Sequence, residues 1–523
     1  MAHTLSDKYT GFFDNAGHRR VFFWFIMAIG IFARIYRFGL VPAGINQDEA
    51  FAGYEAWSLL NYGIDTAGYH NPVYLIAWGS GMNALETYLM IPFIALFGLE
   101  VWVIRLPQVI VACLSLPTVY GLVKRTVNER AGLLAMFMLA ICPWHIILSR
   151  WGLESNLAPG FLLFGLYFFV RGVENPRFLP LSALMYGLSL YTYATIWPFV
   201  PLMLVIQLIY CMAHKKIRLT RHLVWSGGIL FILALPLLLF LAVNYGWIDE
   251  IITPFFSIPE LYYMRSGDLS LDEKAKKLEI FLDIFFYQND KKIWNSPEKY
   301  GLFYYITIPF VLLGLVFCVR ELIKARREKR FCPAALLLVQ GCACLPLLLL
   351  IKGNATKFNI FFIPLVIFAA LGIYFLSEFS LREFGGIVAA AYLVLFAGFT
   401  HYYFTDYAAD VQVHYSYGLD EALELAGEKG EKVYIDQDEF YTKVLFYTKT
   451  PATTFRDTVE YLYFPTSYLH ALSFDRYYFW VSPYDVEENA AYIISYGDDL
   501  GLLPEAGFSF ERFGNYIVAY KEK

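Results

Sequence analysis

Residues 21–57 read "VFFWFIMAIGIFARIYRFGLVPAGINQDEAFAGYEAW". The first part, 21–39, is almost wholly apolar and, at about 1.5 Å per helical residue, reaches close to the ~30 Å of a bilayer core. His18, Arg19 and Arg20 precede it, and no small-residue cleavage site follows, so it reads as a retained membrane helix rather than a cleaved leader. Arg34 and Arg37 stand at its exit. Asn46 or Asp48 then suits the cap of a new helix, which puts Asp48 and Glu49 at that helix's positive end. Phe51, Tyr54, Glu55 and Ser58 fall near one face of it. Paired carboxylates beside a membrane are costly to keep.

The rest of the chain extends the membrane reading. The sequence has 523 residues, 58% of them hydrophobic and 19% aromatic. Its mean hydropathy is +0.48. Apolar runs recur at 21–39, 101–123, 131–148, 157–172, 178–196, 199–213, 223–243, 302–319, 332–351, 358–376 and 384–402, giving about eleven expected crossings. The segment 85–98 is apolar but too short to span, and is expected to lie as a juxtamembrane helix. A net charge of −5 offers nothing to a nucleic acid. The seven cysteines all lie in or beside apolar runs, with neither disulfide nor zinc spacing.

Charge sets the expected orientation. Arg19 and Arg20, Lys124, Arg125 and Arg130, Arg171 and Arg177, Lys215 to Arg221, and Arg320 to Arg330 occupy one set of loops, which marks the cytoplasmic side. The expected layout is a cytoplasmic N-terminus (1–20), a membrane domain (21–403) with exterior loops 40–100 and 244–301, and an extracytoplasmic α/β domain (404–523). In that domain 418–449 reads as an amphipathic helix, a glycine break and the strand "KVYI", while "FWVSP" and "NYIVAY" read as later strands. It carries no G-x-G-x-x-G or P-loop pattern.

The notable charges gather at the exterior face. "PWHIILSRWGLESNLAP" (143–159) places His145, Arg150 and Glu154 together, and "IKGNATKFNIFFIP" (351–364) brings Lys352 and Lys357. Each residue has a bland reading: helix caps for the acids, headgroup anchoring by snorkelling for the cations. Acids in two exterior loops with cations beside them also suit a site for an anionic, lipid-linked substrate. An ionised Asp48 could accept a proton from a hydroxyl.

Four segments in order resemble the GT-C glycosyltransferases, closest to the bacterial protein O-mannosyltransferase and lipid A aminoarabinose transferase group. "DEAFAGYEAWSLL" resembles the family's acidic motif in the first exterior loop. "FGLEVWVIRLPQVIVACLSLPTVYGLVKR" is similar to the second helix, and "AGLLAMFMLAICPWHIILSRWGLESN" to the third helix and second loop. "TKFNIFFIPLVIFAALGI" resembles a late helix, with Lys357 where Arg is usual. The resemblance implies an all-α polytopic fold of GT-C type and an exterior site for a polyprenyl-phosphate-linked sugar. It implies Asp48 as the catalytic base and Glu49 as its support. Lys357 is implied for the donor phosphate, with Arg150, Arg105 and Arg34 as further cations there. Glu154 and His145 form the second acidic loop, and Tyr54, Glu86 and Arg265 are possible substrate contacts.

The chain departs from the family in "SGMNALETYLM", which lacks the usual loop lysine; "GYHNPVYLIAWGSGMN" (68–83) stands there as an expanded substitute. Glu154 replaces an Asp common in the group. "WGLES" offers one carboxylate, so no required metal is expected, although related oligosaccharyltransferases use one. The expected function is inverting transfer of a sugar from polyprenyl phosphate to a glycan, lipid or protein acceptor, in contact with membrane lipids. The alternatives are a transporter or lipid flippase, whose polar residues would sit at mid-membrane, and a non-catalytic envelope scaffold. In the long exterior loop, Tyr262, Tyr263 and Arg265 are expected to face the cleft, and 272–292 to lie on the membrane as an amphipathic helix.

Overall fold

The computed structural model describes residues 15–264, 272–379, 382–435 and 440–522. Arg265 lies outside them. Among the described residues, eight helices are long and apolar enough to cross a bilayer: Ala16–Ile35, Val101–Thr126, Glu154–Glu174, Ala194–Ala213, Arg221–Asn244, Tyr305–Arg327, Asn359–Glu378 and Gly386–Phe404. The protein is a multi-pass membrane protein.

Three of the expected crossings are carried by shorter, broken helices. The run 131–148 divides into Glu129–Ala140 and Pro143–Leu148. Pro143 lacks an N–H and holds Cys142 in extended backbone, with φ −65° and ψ 121°. The run 178–196 forms Leu179–Ser189 and then a turn into Ala194–Ile196, which joins the next helix instead. The run 332–351 splits into Ala335–Ala343 and Leu347–Leu350 around Pro346. Hydropathy counts apolar residues and does not register these backbone breaks. The 13-residue helix Leu85–Phe97 is, as expected, too short to span.

The chain forms two compact units. The first comprises the described residues up to Phe38, Gln108–Leu235, and those from 272 to Tyr407. Within it the helices Ile308–Arg327 and Phe362–Phe379 touch backbone to backbone. A Cβ on Gly314 would fall 1.8 Å from the Phe368 carbonyl oxygen, and one on Gly372 2.0 Å from that of Phe310. Small residues at such contacts let membrane helices approach closely. The helix Lys274–Tyr287 lays Phe281 against Phe358 and Phe361, with ring centroids 5.4 and 5.5 Å away, and Lys277 donates to the Leu350 carbonyl at 3.1 Å.

The second unit comprises Gly39–Pro107, Pro236–Arg265 in its described part, and Ala408 onward. A seven-stranded sheet runs in the order 509–513, 516–520, 490–495, 432–435, 477–479, 471–474, 460–461. Lys432–Ile435 is parallel to both its neighbours; the other pairings are antiparallel. Its alternation buries Val433 and Ile435 and leaves Lys432 and Tyr434 partly exposed. These buried side chains share one hydrophobic core with Ile45, Phe51, Ala52 and Ala56. Distant parts of the chain therefore build one core, and the bond from Thr442 to Gln47 joins positions 395 residues apart.

Candidate functional site

In the second unit, Asn46 starts the helix Gln47–Tyr62, hereafter the acid helix. The Asn46 side chain accepts from the Asp48 N–H at 3.0 Å, and Glu49 Oε1 accepts from the Asn46 N–H at 3.0 Å. This reciprocal cap satisfies donors that a helix start leaves open. It fixes Asp48 in the first turn, half-buried, while Glu49 is fully buried.

Glu49 is bound by Arg105. Arg105 donates from Nε to Glu49 Oε2 at 2.9 Å and from Nη2 to Oε1 at 2.6 Å. It also donates to the carbonyls of Pro42 and Gly44, both at 2.8 Å. The guanidinium thus ties the start of the second membrane helix to the segment that leads into the acid helix. A fork of this kind needs Arg rather than Lys.

A second acidic pair joins the acid helix, through Glu55, to Asp65 in the loop that follows it. Glu55, two turns after Asp48, is fully buried and accepts from the Thr66 N–H at 2.9 Å and from its hydroxyl. Asp65 Oδ1 accepts from the Tyr69 N–H at 2.7 Å. Burial pushes the Glu55 carboxyl well above the usual carboxylate range, reinforced by the Asp65 charge, and burial pushes Asp65 up to about 7. Sequence reasoning placed Glu55 on one face of the acid helix but missed Asp65, whose partner lies across a turn. Tyr54 is buried and donates to the Thr450 carbonyl; Glu86 is buried in the first turn of Leu85–Phe97. Tyr262 sets its ring against Phe464 at 5.0 Å, and the Tyr263 N–H donates to the Gly79 carbonyl at 2.9 Å.

In the first unit, His145, Arg34 and Arg150 come together. Arg34 donates to the carbonyls of Gly30, Ala140 and Leu139 at 2.7, 3.0 and 3.0 Å, and its Nη2 lies 2.6 Å from His145 Nδ1. Arg150 donates to the carbonyls of Arg34 and Arg37, each at 2.8 Å, and lies over the Phe404 ring. Both guanidiniums are fully buried. They satisfy carbonyls at helix ends, which a sequence pattern does not reveal. Glu154 opens the helix Glu154–Glu174 and is half-buried. Gln108 donates to the Leu153 carbonyl at 2.9 Å and Asn359 to that of Ser155 at 2.8 Å, holding the loop from both sides.

Lys357, also in the first unit, is half-buried. Asn354 Oδ1 accepts from the Lys357 N–H at 3.0 Å and the Thr356 hydroxyl at 2.6 Å. Asp290 Oδ2 accepts from the Ala355 N–H at 2.9 Å and from Asn295 at 2.6 Å. A small cavity beside this turn is lined by Trp144, Trp151, Trp294, Asn156, Asn295 and Thr356, among others. Asn295 Oδ1, buried there, has no partner among the described residues. No cluster of three or more His, Cys, Asp or Glu side chains able to hold a metal occurs among the described residues.

Residues 85–240 match the family described as dolichyl-phosphate-mannose-protein mannosyltransferase. Among curated proteins, none matches the chain in sequence. The structure is similar to the crystal structure of ArnT from Cupriavidus metallidurans in the apo state. The two are 14% identical over 96% of this chain and 97% of that one, with a TM-score of 0.56. It is also similar to the same protein bound to undecaprenyl phosphate, with 15% identity, 97% and 98% coverage and a TM-score of 0.52. The chain shares the fold of ArnT.

Proposed function

Taking a GT-C fold with a mannosyltransferase-type segment as the premise, we propose that this protein is an inverting, polyprenyl-phosphate-dependent glycosyltransferase acting at the outer face of the membrane. The observation that carries the reading is the asymmetry of the acidic pair. Glu49 is buried and forked by Arg105, whereas Asp48, fixed one residue earlier by the Asn46 cap, keeps partial exposure. Asp48 is the base. It takes the proton of the acceptor hydroxyl as the acceptor oxygen forms a bond to the sugar's anomeric carbon. The bond from that carbon to the phosphate oxygen breaks on the opposite face, and the electron pair leaves with the polyprenyl phosphate. Configuration inverts.

The departing phosphate needs a cation. Lys357 is assigned this role from its place in the segment that resembles the family's late helix; Arg34, Arg105 and Arg150 hold backbone carbonyls. Undecaprenyl phosphate in the related ArnT structure supports a lipid-linked donor of this class. The acceptor is a glycan, lipid or protein. The second acidic loop, with Glu154, is read as part of the substrate face. The N-terminus is placed in the cytoplasm and the sheet-bearing unit outside, from the distribution of Lys and Arg. The transporter alternative has no support in the fold match.

The test is transfer by the purified, reconstituted protein from a panel of polyprenyl-phosphate sugars. Asp48→Asn should lower transfer by about 10²–10⁴-fold while the protein still folds. Transfer by that variant at the wild-type rate removes Asp48 from the mechanism.

A further inference from the structure

A helix of the C-terminal segment that carries a buried lysine is bonded to the start of the acid helix. Lys443 lies in the helix Tyr441–Thr448 and is 5% exposed. Its Nζ donates to Ser416 Oγ at 2.5 Å and lies 5.3 Å from the centre of the Phe440 ring. Ser416, itself buried, is in left-handed backbone with φ +48°. Its neighbour Tyr415 offers the carbonyl that accepts from the Ile45 N–H at 2.5 Å, one residue before the Asn46 cap. On the other side of Lys443, the Thr442 hydroxyl donates to the Gln47 carbonyl at 3.3 Å, one residue before Asp48. Two separate links thus hold the elements carrying Lys443 against the segment 45–47.

The charges of this corner define what the lysine can do. Among the described residues, the titratable groups on these elements include Glu49 with Arg105, Tyr54 and Glu55 further along the same helix, Tyr415, and Tyr441 and Tyr447 from the lysine's own helix. Glu49 and Arg105 offset each other in a bidentate pair. Burial favours the neutral form of Glu55. Arg105 lies over the Tyr415 ring, 5.7 Å from its centre. Lys443 and Asp48 carry opposite charges on the two elements that these links hold together. A desolvated ammonium acts strongly on a neighbouring carboxylate, because little water screens it.

We propose that Lys443 is a positioning residue for sugar transfer: carried in by the C-terminal segment, its ammonium holds the Asp48 carboxylate ionised and oriented toward the acceptor. The coupling is inferred from the two links that hold these elements together; its role in transfer rests on Asp48 being the base. This gives the C-terminal segment a part in the chemistry as well as in the fold.

The test reads Asp48 directly. The full-length protein in lipid nanodiscs is treated with a carbodiimide and an amine across a pH series, and modification at residue 48 is resolved by peptide mass spectrometry. A protonated carboxyl reacts. In Lys443→Met the midpoint of labelling should rise by about one pH unit or more relative to wild type, and Lys443→Arg should restore it. The acid limb of the transfer rate should move by the same amount. An unmoved midpoint in folded Lys443→Met overturns the proposal. So does a rise in donor KM with an unmoved midpoint, which reassigns the lysine to the donor phosphate. Ser416→Ala keeps the test open should Lys443→Met not fold, since it leaves the lysine but removes its 2.5 Å acceptor. A midpoint shift supports the coupling, and none refutes it. A wild type that transfers no sugar sinks the glycosyltransferase reading while leaving the labelling result intact.

Discussion

Arg105 donates to both carboxylate oxygens of Glu49, at 2.9 and 2.6 Å, and neither side chain is exposed. Removing one partner leaves the other charge buried and uncompensated, which costs about 3–5 kcal/mol. Glu49→Gln and Arg105→Met should each lower thermal stability markedly. Arg105→Lys should rescue little, because an ammonium cannot fork two oxygens and still reach the Pro42 and Gly44 carbonyls. The double variant should be more stable than the sum of its singles predicts. Thermal unfolding in detergent checks all four. Additive losses would mean that the pair does not act as a unit.

The acids Glu55 and Asp65 predict an inverted pH dependence. Asp65 titrates near 7 in the folded chain, against about 3.9 when unfolded. Between those values the folded state holds more protons than the unfolded state, so stability falls as pH rises from about 4 to about 7. Glu55 shifts in the same direction and adds to the slope. Asp65→Asn should flatten the profile and melt a few degrees above wild type at pH 8. Asparagine can still accept the 2.7 Å bond from the Tyr69 N–H. Melting curves between pH 5 and 8 decide it; a profile equally steep in the variant excludes Asp65 as the source.

What could be read from sequence follows the range of the interactions. The acid helix was legible because its cap is local: Asn46, Asp48 and Glu49 lie within four residues. The late helix that follows Lys357 was likewise marked by a continuous apolar run. The breaks at Cys142–Pro143 and around Pro346 were visible as prolines but not as interrupted crossings, because hydropathy averages over them. Arg34 and Arg150 looked like anion sites, yet their partners include backbone carbonyls, which no residue type announces. Lys443 could not be found at all by local reading. Its helix meets the acid helix through long-range contacts, among them the Thr442–Gln47 bond and a core that joins residues near 45–56 to residues near 419–520.

Lys357 gives a prediction specific to donor binding. Its N–H is fixed by Asn354, so a substitution changes the side chain without loosening the turn. Lys357→Met should raise the KM for the polyprenyl-phosphate sugar by about 10–100-fold, the loss of one charge-assisted contact to a phosphate. Lys357→Arg should retain most of the affinity. Steady-state kinetics with varied donor at saturating acceptor separates the two. A Lys357→Met enzyme with wild-type donor KM would place the phosphate elsewhere.

Gly44 holds the C-terminal segment to the acid helix. It has φ +82°, where a side chain is strained, and a Cβ there would fall 2.0 Å from the Tyr415 carbonyl oxygen. That oxygen is the one that accepts from the Ile45 N–H. Gly44→Ala must therefore push the 415–416 turn away, and with it the Ser416 acceptor of Lys443. The variant should lose about 1–3 kcal/mol of stability from backbone strain. If Lys443 acts on Asp48, it should also shift the Asp48 labelling midpoint upward, as Lys443→Met does. Gly98 provides the control. It too has positive φ (+81°), but no atom lies within 4 Å of the place a Cβ would occupy. Gly98→Ala should therefore cost stability of similar size and leave the labelling midpoint where it is. A midpoint that moves equally in both variants would attribute the effect to general loosening rather than to the Tyr415–Ser416 turn.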